Sequence, residues 1–380
     1  MRHRLWQLVL CLLCAIALAS CTGARSDSGS EIVIGEFGSL TGTTATFGIS
    51  TKNGIDMAID AINKSGGLLG KQVRVMVEDD QGKPEEAQTV VTKLITKDQV
   101  IAVLGEVASS RTMAAAPVAQ QNGIPLISPS STNPKVTQTG DYIFRVCFID
   151  PFQGLVMAKF ATNTLKVKNV AVLRDIKNDY SVGLAGVFIE NFKSMGGNVV
   201  ANESYSEGDT DFSAQLTSIK ARNPQAVFLP GYYTEVGLVV RQAKKLGLTV
   251  PFMGGDGWDS PRLIEIGGDA LNGSYYSNHF SVSDPSPAIQ KFVSDYKARY
   301  GETPDALAGL GFDAASILFD AIKRANSTDG AKIRDAIAQT KDFPGVTGKI
   351  TLDKDRNAVK PAVVLQVKEG KLNYVETIAP

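Results

Sequence analysis

Apolar strand-like runs alternate with helix-patterned stretches along most of the chain, and this alternation limits the fold more than any other feature. "EIVIGEF" (31–37) has the pattern of a buried strand, and Ile55, Ala58, Ile59 and Ile62 then recur at helical spacing. "QVRVMVEDD" (72–80) alternates like a strand. Pro84 suits a first helical turn, with Ala87, Val90, Val91, Leu94 and Ile95 on one face behind it. "VIAVLG" (100–105) and "IPLIS" (124–128) are further strands, separated by a helix carrying Met113, Pro117 and Val118. Repeated strand–helix–strand units imply a parallel sheet covered on both faces.

A second series begins after "FIDPFQG" (148–154). Its strands are "NVAVLRD" (169–175), "NVVANESY" (198–205), "QAVFLPG" (225–231) and "VPFMGGD" (250–256), with apolar helical faces between them. The expected class is therefore α/β, with two doubly wound parallel-sheet lobes. The last hundred residues, with helices near 287–300 and 310–325 and strands at 348–352 and 361–367, are too few for a third lobe. They are expected to complete the first two. That assigns 31–150 plus about 280–360 to lobe 1 and 151–279 plus about 361–380 to lobe 2, joined by a hinge that the chain crosses several times.

Residues 1–20 do not belong to this fold. Arg2 and Arg4 precede an apolar run, Leu5 to Leu18, which is too short for a confident membrane span. The run ends in "LASC", which resembles a bacterial lipobox and implies cleavage before Cys21 and lipidation of its sulfur. Residues 21–30 are small and polar, as a flexible tether would be. Without Arg2 and Arg4 the 39 basic residues become 37 against 39 acidic, a formal charge of −2. That balance argues against a nucleic-acid partner.

The same cut leaves one histidine, His279, and beyond the lipid site one cysteine, Cys147. Internal disulfides and thiolate metal sites are thereby excluded, and histidine-dependent catalysis is weakened. Cys147 is expected to be a small buried hydrophobe, and His279 has no apparent partner. No cofactor or metal is called for. "GGLLGK" (66–71) lacks the spacing of a phosphate loop, and "EDDQGKPEE" (78–86) is a solvated acidic turn rather than a calcium loop.

In open α/β sheets the ligand site lies beyond the carboxyl ends of the strands. The loops there are "GEVASSRT" (105–112), "SPSSTNP" (128–134), "RDIKNDYS" (174–181), "PGYYTE" (230–235) and "GGDGWDS" (254–260). Ser109 or Ser110 at a helix N-cap would leave N–H groups facing a carboxylate, with Arg111 expected to be solvated. From the other lobe come Tyr180, Tyr232, Tyr233, Asp256 and Trp258. An acid among aromatic faces suits a primary ammonium. An anion site opposite an ammonium site describes an α-amino acid zwitterion.

At these loops, and along nearly all of 31–380, the chain resembles the leucine/isoleucine/valine-binding protein family, the class I periplasmic solute-binding proteins of ABC transporters. The likeness runs through "IGEFGSLTG", "AINKSGGLLGKQV", "SPSSTNPKVTQ", "FRVCFIDPFQG", "DFSAQL", "GYYTEVGLVVRQAKKLGL" and "FMGGDG" in order. The resemblance implies the class I periplasmic binding protein fold and a receptor in the cell envelope. It implies that Ser109 receives the ligand carboxylate, that the Ser130 carbonyl meets the ammonium, and that the Thr132 hydroxyl contacts the ligand backbone. Tyr180 and Tyr232 match second-lobe aromatics, and Asp256 falls where the family places an acid for the ammonium. Phe47 falls where an aromatic covers the side-chain pocket, Val107 would line that pocket, and Asp150 falls at the first hinge crossing.

The family's cysteine pair is absent, Asp256 stands where some members have Glu, and Arg111 and Trp258 differ from their counterparts. The expectation is a lipid-anchored, monomeric receptor that closes its lobes over a free amino acid and presents it to ABC transporter permease subunits. A sensor of the same fold for an amide, short peptide or other small metabolite is the alternative. An enzyme is not expected, because no nucleophile–base pair stands out.

Overall fold

The structure, a computed structural model, describes residues 31–380; the expected signal peptide (1–20), Cys21 and the tether (21–30) lie outside the described residues. The first sheet is formed by β1 (Glu31–Gly38), β2 (Gln72–Asp79), β3 (Val103–Leu104), β4 (Leu126–Ser128) and β5 (Ile143–Arg145). All its pairings are parallel, in the order β2-β1-β3-β4-β5. The helices α1 (Ala45–Lys64), α2 (Pro84–Thr96) and α3 (Ser109–Gln121) connect its strands. Each turns an apolar stripe inward, such as Ala87, Val90, Val91, Leu94 and Ile95 of α2.

The chain then passes through residues 146–149 into α4 (Asp150–Lys159) and the second sheet. Here β6 (Asn169–Asp175), β7 (Asn198–Tyr205), β8 (Ala226–Phe228), β9 (Phe252–Gly254) and β10 (Tyr275–Asn278) take the order β7-β6-β8-β9-β10. Both sheets therefore share one winding order, and each reverses direction beside its first strand. That switch point is where such sheets leave a crevice. The helices α5 (Asp179–Ser194) and α6 (Tyr233–Lys245) open at that edge.

After β10 the chain returns to the first sheet, where α7 (Pro287–Tyr300) and α8 (Ala306–Ala325) follow. Helix α8 packs on α1, with Leu310, Leu318 and Ile322 in the same core as Ile55 and Ala58. A small antiparallel sheet comes next, of β11 (Phe343–Gly345), β12 (Gly348–Leu352) and β13 (Ala358–Val359). Its middle strand was expected at 348–352, but the two short flanking strands carry no apolar run and were not. Asp313 of α8 fastens it by accepting from the N–H groups of Val346 (2.7 Å) and Thr347 (2.9 Å). A third crossing leads into β14 (Ala362–Lys368) and β15 (Lys371–Ile378), which extend the second sheet. Both pair antiparallel, so this sheet is mixed rather than purely parallel.

Cys147 lies fully buried in the first crossing, and burial pushes its thiol up to about 12. Asp80 corrects the reading of 78–86 as a solvated turn. Asp79 does cap a turn at the surface, but Asp80 is buried and accepts from Ser39 Oγ and the Gly82 N–H, both at 2.9 Å.

Candidate functional site

Between the two sheets' carboxyl edges lies a small cavity with about 230 Å3 of space between its walls. Phe47, Val107, Ser130 and Leu307 line it from the first sheet's side, and Tyr180, Tyr232, Asp256 and Gly257 from the second. Six of the eight residues expected at a ligand thus surround one space. Ser109 and Thr132 are buried next to it without lining it.

The cleft is shut around this cavity. Ser110 Oγ donates to Asp179 Oδ2 at 3.0 Å, and Thr234 Oγ1 donates to the Thr43 carbonyl at 2.7 Å. The Thr46 and Ser260 hydroxyls pair at 2.9 Å, and Thr46 N–H donates to the Tyr233 hydroxyl at 3.3 Å. Phe47 meets Tyr232 edge-on at 5.3 Å and Tyr233 at 5.1 Å. Aromatic rings therefore close part of the cavity wall, to which Val107 and Leu307 also contribute.

Asn178 builds the tyrosine wall. Its side chain accepts from the N–H groups of Tyr180 (3.0 Å) and Ser181 (3.4 Å), which starts α5 where Tyr180 points back to the cleft. Tyr180 stacks on Tyr232 at 5.4 Å, 8° from parallel, and its hydroxyl accepts the Gly257 N–H at 3.0 Å. A side chain at Gly257 has no room: a Cβ there would sit 2.7 Å from the Gly231 carbonyl and 2.9 Å from Tyr232. Close approach, not an unusual φ, explains the glycines around Asp256. Burial holds both tyrosine hydroxyls far above their ordinary range, so they remain neutral.

Asp256 opens a short 3₁₀ turn just after β9 and is almost fully buried. Its N–H donates to Gln153 Oε1 at 2.8 Å. Oδ2 receives Ser130 Oγ at 3.2 Å and lies 3.1 Å from His279 Nε2. Oδ1 is buried and has no hydrogen-bond partner among the described residues. A lone carboxylate oxygen in such a place wants a donor, and a cationic one is best.

Several expectations are corrected here. His279 has a partner after all, Asp256, although 23 residues separate them. The trio with Ser130 is not a catalytic relay, because Ser130 and Asp256 both face Nε2 and Nδ1 is unpartnered among the described residues. Arg111 is not solvated. It is buried, pairs with Glu106 at 3.2 Å without an aligned hydrogen bond, and donates to Thr44 Oγ1 and the Gly82 carbonyl, both at 3.1 Å.

Nor does a serine side chain cap α3. Ala108 occupies the cap position, and Ser109 Oγ accepts the Asn133 N–H at 3.2 Å. Trp258 turns away into the core, its indole N–H on the Leu229 carbonyl at 2.9 Å. Asp150 lies at the start of α4, fully buried, with its carboxyl raised to about 7, chiefly by that burial. The Thr132 hydroxyl lies close by without a well-formed bond to it.

No group of three metal-binding side chains occurs among the described residues, and no helix among them is long and apolar enough to cross a membrane. The profile of the periplasmic binding protein family matches residues 31–371. The chain belongs to that family.

Its relatives within the family agree. A Leu/Ile/Val-binding protein of Rhizobium johnstonii is 33% identical over 85% of this chain and 87% of its own. Among solved structures, a leucine-binding protein from Thermotoga maritima is 41% identical, with a TM-score of 0.89 over 92% of this chain and 99% of that one. A branched-chain amino acid transporter substrate-binding protein from Streptococcus pneumoniae, in complex with isoleucine, is 36% identical, with a TM-score of 0.88 over 92% of this chain and all of that one. As a periplasmic binding protein this chain is a solute receptor by family and acts outside the cytoplasm.

Proposed function

We propose that this receptor captures a free amino acid with an aliphatic or other apolar side chain between its lobes and delivers it to the permease subunits of an ABC importer. The observation that carries the reading is the buried, unpartnered Oδ1 of Asp256, a residue that lines a shut cavity walled mostly by aromatic and apolar side chains. An α-ammonium would satisfy that oxygen, with the tyrosine faces beside it. The ligand carboxylate would take the amides at the start of α3 and the hydroxyls of Ser109 and Thr132. Ser109 accepts one bond and keeps its own proton to donate. Phe47, Val107 and Leu307 would then surround the side chain. The names of the similar proteins, which bind leucine, isoleucine and valine, support the same class.

The binding arithmetic is consistent with this. A dissociation constant of about 1 μM corresponds to about −8 kcal/mol. Over the roughly nine heavy atoms of leucine that is about −0.9 kcal/mol each, a value reached only by small ligands that are nearly fully buried. A two-lobed clamp provides such burial, and closure over the ligand makes the shape that the permease reads. In this reading lobe 1 comprises 31–150 with about 280–360, lobe 2 the remainder, and Asp150 serves the hinge. The mature protein is a monomer held to the membrane by lipid on Cys21.

Calorimetric titration of the twenty amino acids into ligand-stripped protein tests the reading. Micromolar binding of apolar members is expected. Binding by none of them would remove the zwitterion assignment.

A further inference from the structure

Two of the segments that carry the chain between the sheets meet beneath Asp256. Phe148, in the first crossing, stacks on His279, in the second, with ring centroids 3.9 Å apart and planes 24° from parallel. His279 is buried, and its Nε2 lies 3.1 Å from Asp256 Oδ2 and 3.5 Å from Ser130 Oγ. Its Nδ1 has no partner among the described residues. A neutral imidazole carries one hydrogen, and an orphaned buried N–H is rarer than an orphaned acceptor. The network therefore assigns the hydrogen to Nε2, from where it donates to Asp256 Oδ2.

Asp256 is thus held from three sides. Ser130 and His279 occupy Oδ2, and Gln153 takes the main-chain N–H. Gln153 Oε1 also accepts from Ser277 Oγ at 2.8 Å, which adds the end of β10 to the same cluster. Only Oδ1 is left for the cavity.

We propose that His279 is a positioning residue for the ligand: its Nε2–H fixes the Asp256 carboxylate with Oδ1 toward the ammonium, and its stacking on Phe148 ties that grip to the crossings on which the lobes turn. The inference rests on the reading of Asp256 as the ammonium anchor. His279 does not line the cavity, so it acts through Asp256 rather than by contact.

A protonated His279 would be a second cation on the same carboxylate and would compete with the ligand. The charged groups facing the imidazole are Asp256 and, from the third crossing, Lys360. Asp150, Asp259 and Tyr180 face Asp256 in turn. Burial lowers the imidazole below its ordinary 6.5, so it is neutral at pH 7. The imidazole of the empty receptor takes up a proton more readily than one that shares its carboxylate with a bound ammonium, so affinity falls as the pH drops. Asp150 titrates in the same direction, and only the difference between wild type and His279→Gln isolates the imidazole.

The test is calorimetry on the processed, ligand-stripped protein at about pH 7.5 and about pH 5.5. The probe is L-leucine, or whichever free amino acid the wild type binds most tightly. At the higher pH His279→Ala is expected to bind about ten- to a hundredfold more weakly. His279→Gln, whose amide N–H replaces the imidazole donor, stays within about threefold of wild type, and its affinity declines less toward pH 5.5. Wild-type affinity and pH dependence in His279→Ala would overturn the proposal. So would a Gln variant no better than the Ala variant while both melt like wild type. If the Ala variant fails to fold, the Gln comparison decides alone: a pH dependence equal to wild type overturns the idea. A wild type that binds no amino acid sinks the parent reading and this one with it, whereas normal wild-type binding with indifferent variants removes only the role of His279.

Discussion

Ser110 and Asp179 exchange two hydrogen bonds across the mouth of the cleft, each 3.0 Å long: the serine hydroxyl donates to Oδ2 and accepts the Asp179 main-chain N–H. Both residues are at the rim, away from the cavity wall. Such a latch acts on the shut form without touching a ligand, and exposed contacts of this kind are weak. Ser110→Ala is therefore expected to speed ligand dissociation a few-fold and to leave the melting temperature unchanged. Stopped-flow fluorescence would register this, and an unaltered dissociation rate would deny the latch any part in closure.

Asp256→Asn keeps the shape of the side chain and removes the charge. The ammonium would lose its charge-assisted partner inside a shut site, with an expected penalty of roughly 2–5 kcal/mol. Calorimetry should find affinity reduced by at least a factor of about thirty. Unchanged affinity would mean that the ammonium sits elsewhere.

Arg111 and Glu106 form an ion pair buried from solvent. Removing one member strands the other, at a penalty of about 3–5 kcal/mol. Arg111→Met should lower the unfolding free energy from urea titration by that amount, with a correspondingly lower midpoint, while Ser110→Ala does not. A midpoint equal to wild type would show that water reaches Glu106.

Glu36, fully enclosed beneath α1, has its carboxyl raised from 4.5 to about 8, first by burial and then by the nearby Asp56. The folded state therefore keeps a proton that the unfolded state releases. Its contribution to stability is complete below about 4.5 and is lost as the pH climbs through about 8. Between those limits stability should decline by roughly 1.4 kcal/mol per pH unit from this group. Glu36→Gln removes the decline, so the variant should gain on wild type from pH 6 to pH 8.5 in urea titrations. Parallel curves would place the Glu36 carboxyl in contact with water.

Most strands were legible because a parallel strand buried on both faces writes its own apolar run, as "EIVIG" and "VAVL" do. Tyr180, Tyr232 and Asp256 could be singled out because they stand just after strands, at the ligand edge of a doubly wound sheet, whereas Phe47, Val107 and Ser130 are picked out by the family resemblance. What escaped depends on how the chain folds back. His279 reaches Asp256 only because β10 lies beside β9, and Phe148 reaches His279 only because two crossings meet. Arg111 at the start of a helix has no local signal that Glu106 will draw it inward. The antiparallel strand β14 reads as an apolar run, but pairing direction is set by tertiary context that no run records, and the largely exposed β15 carries no such run.

The bare oxygen of Asp256 bears on what the molecule tells the outside world. A vacant receptor that shuts would seal a negative charge away from water with nothing to neutralise it, so vacancy favours the open shape. Cargo brings the missing countercharge and removes that penalty. Outward form thus becomes a report of occupancy, and an importer that docks only with the shut shape spends few turnovers on empty carriers.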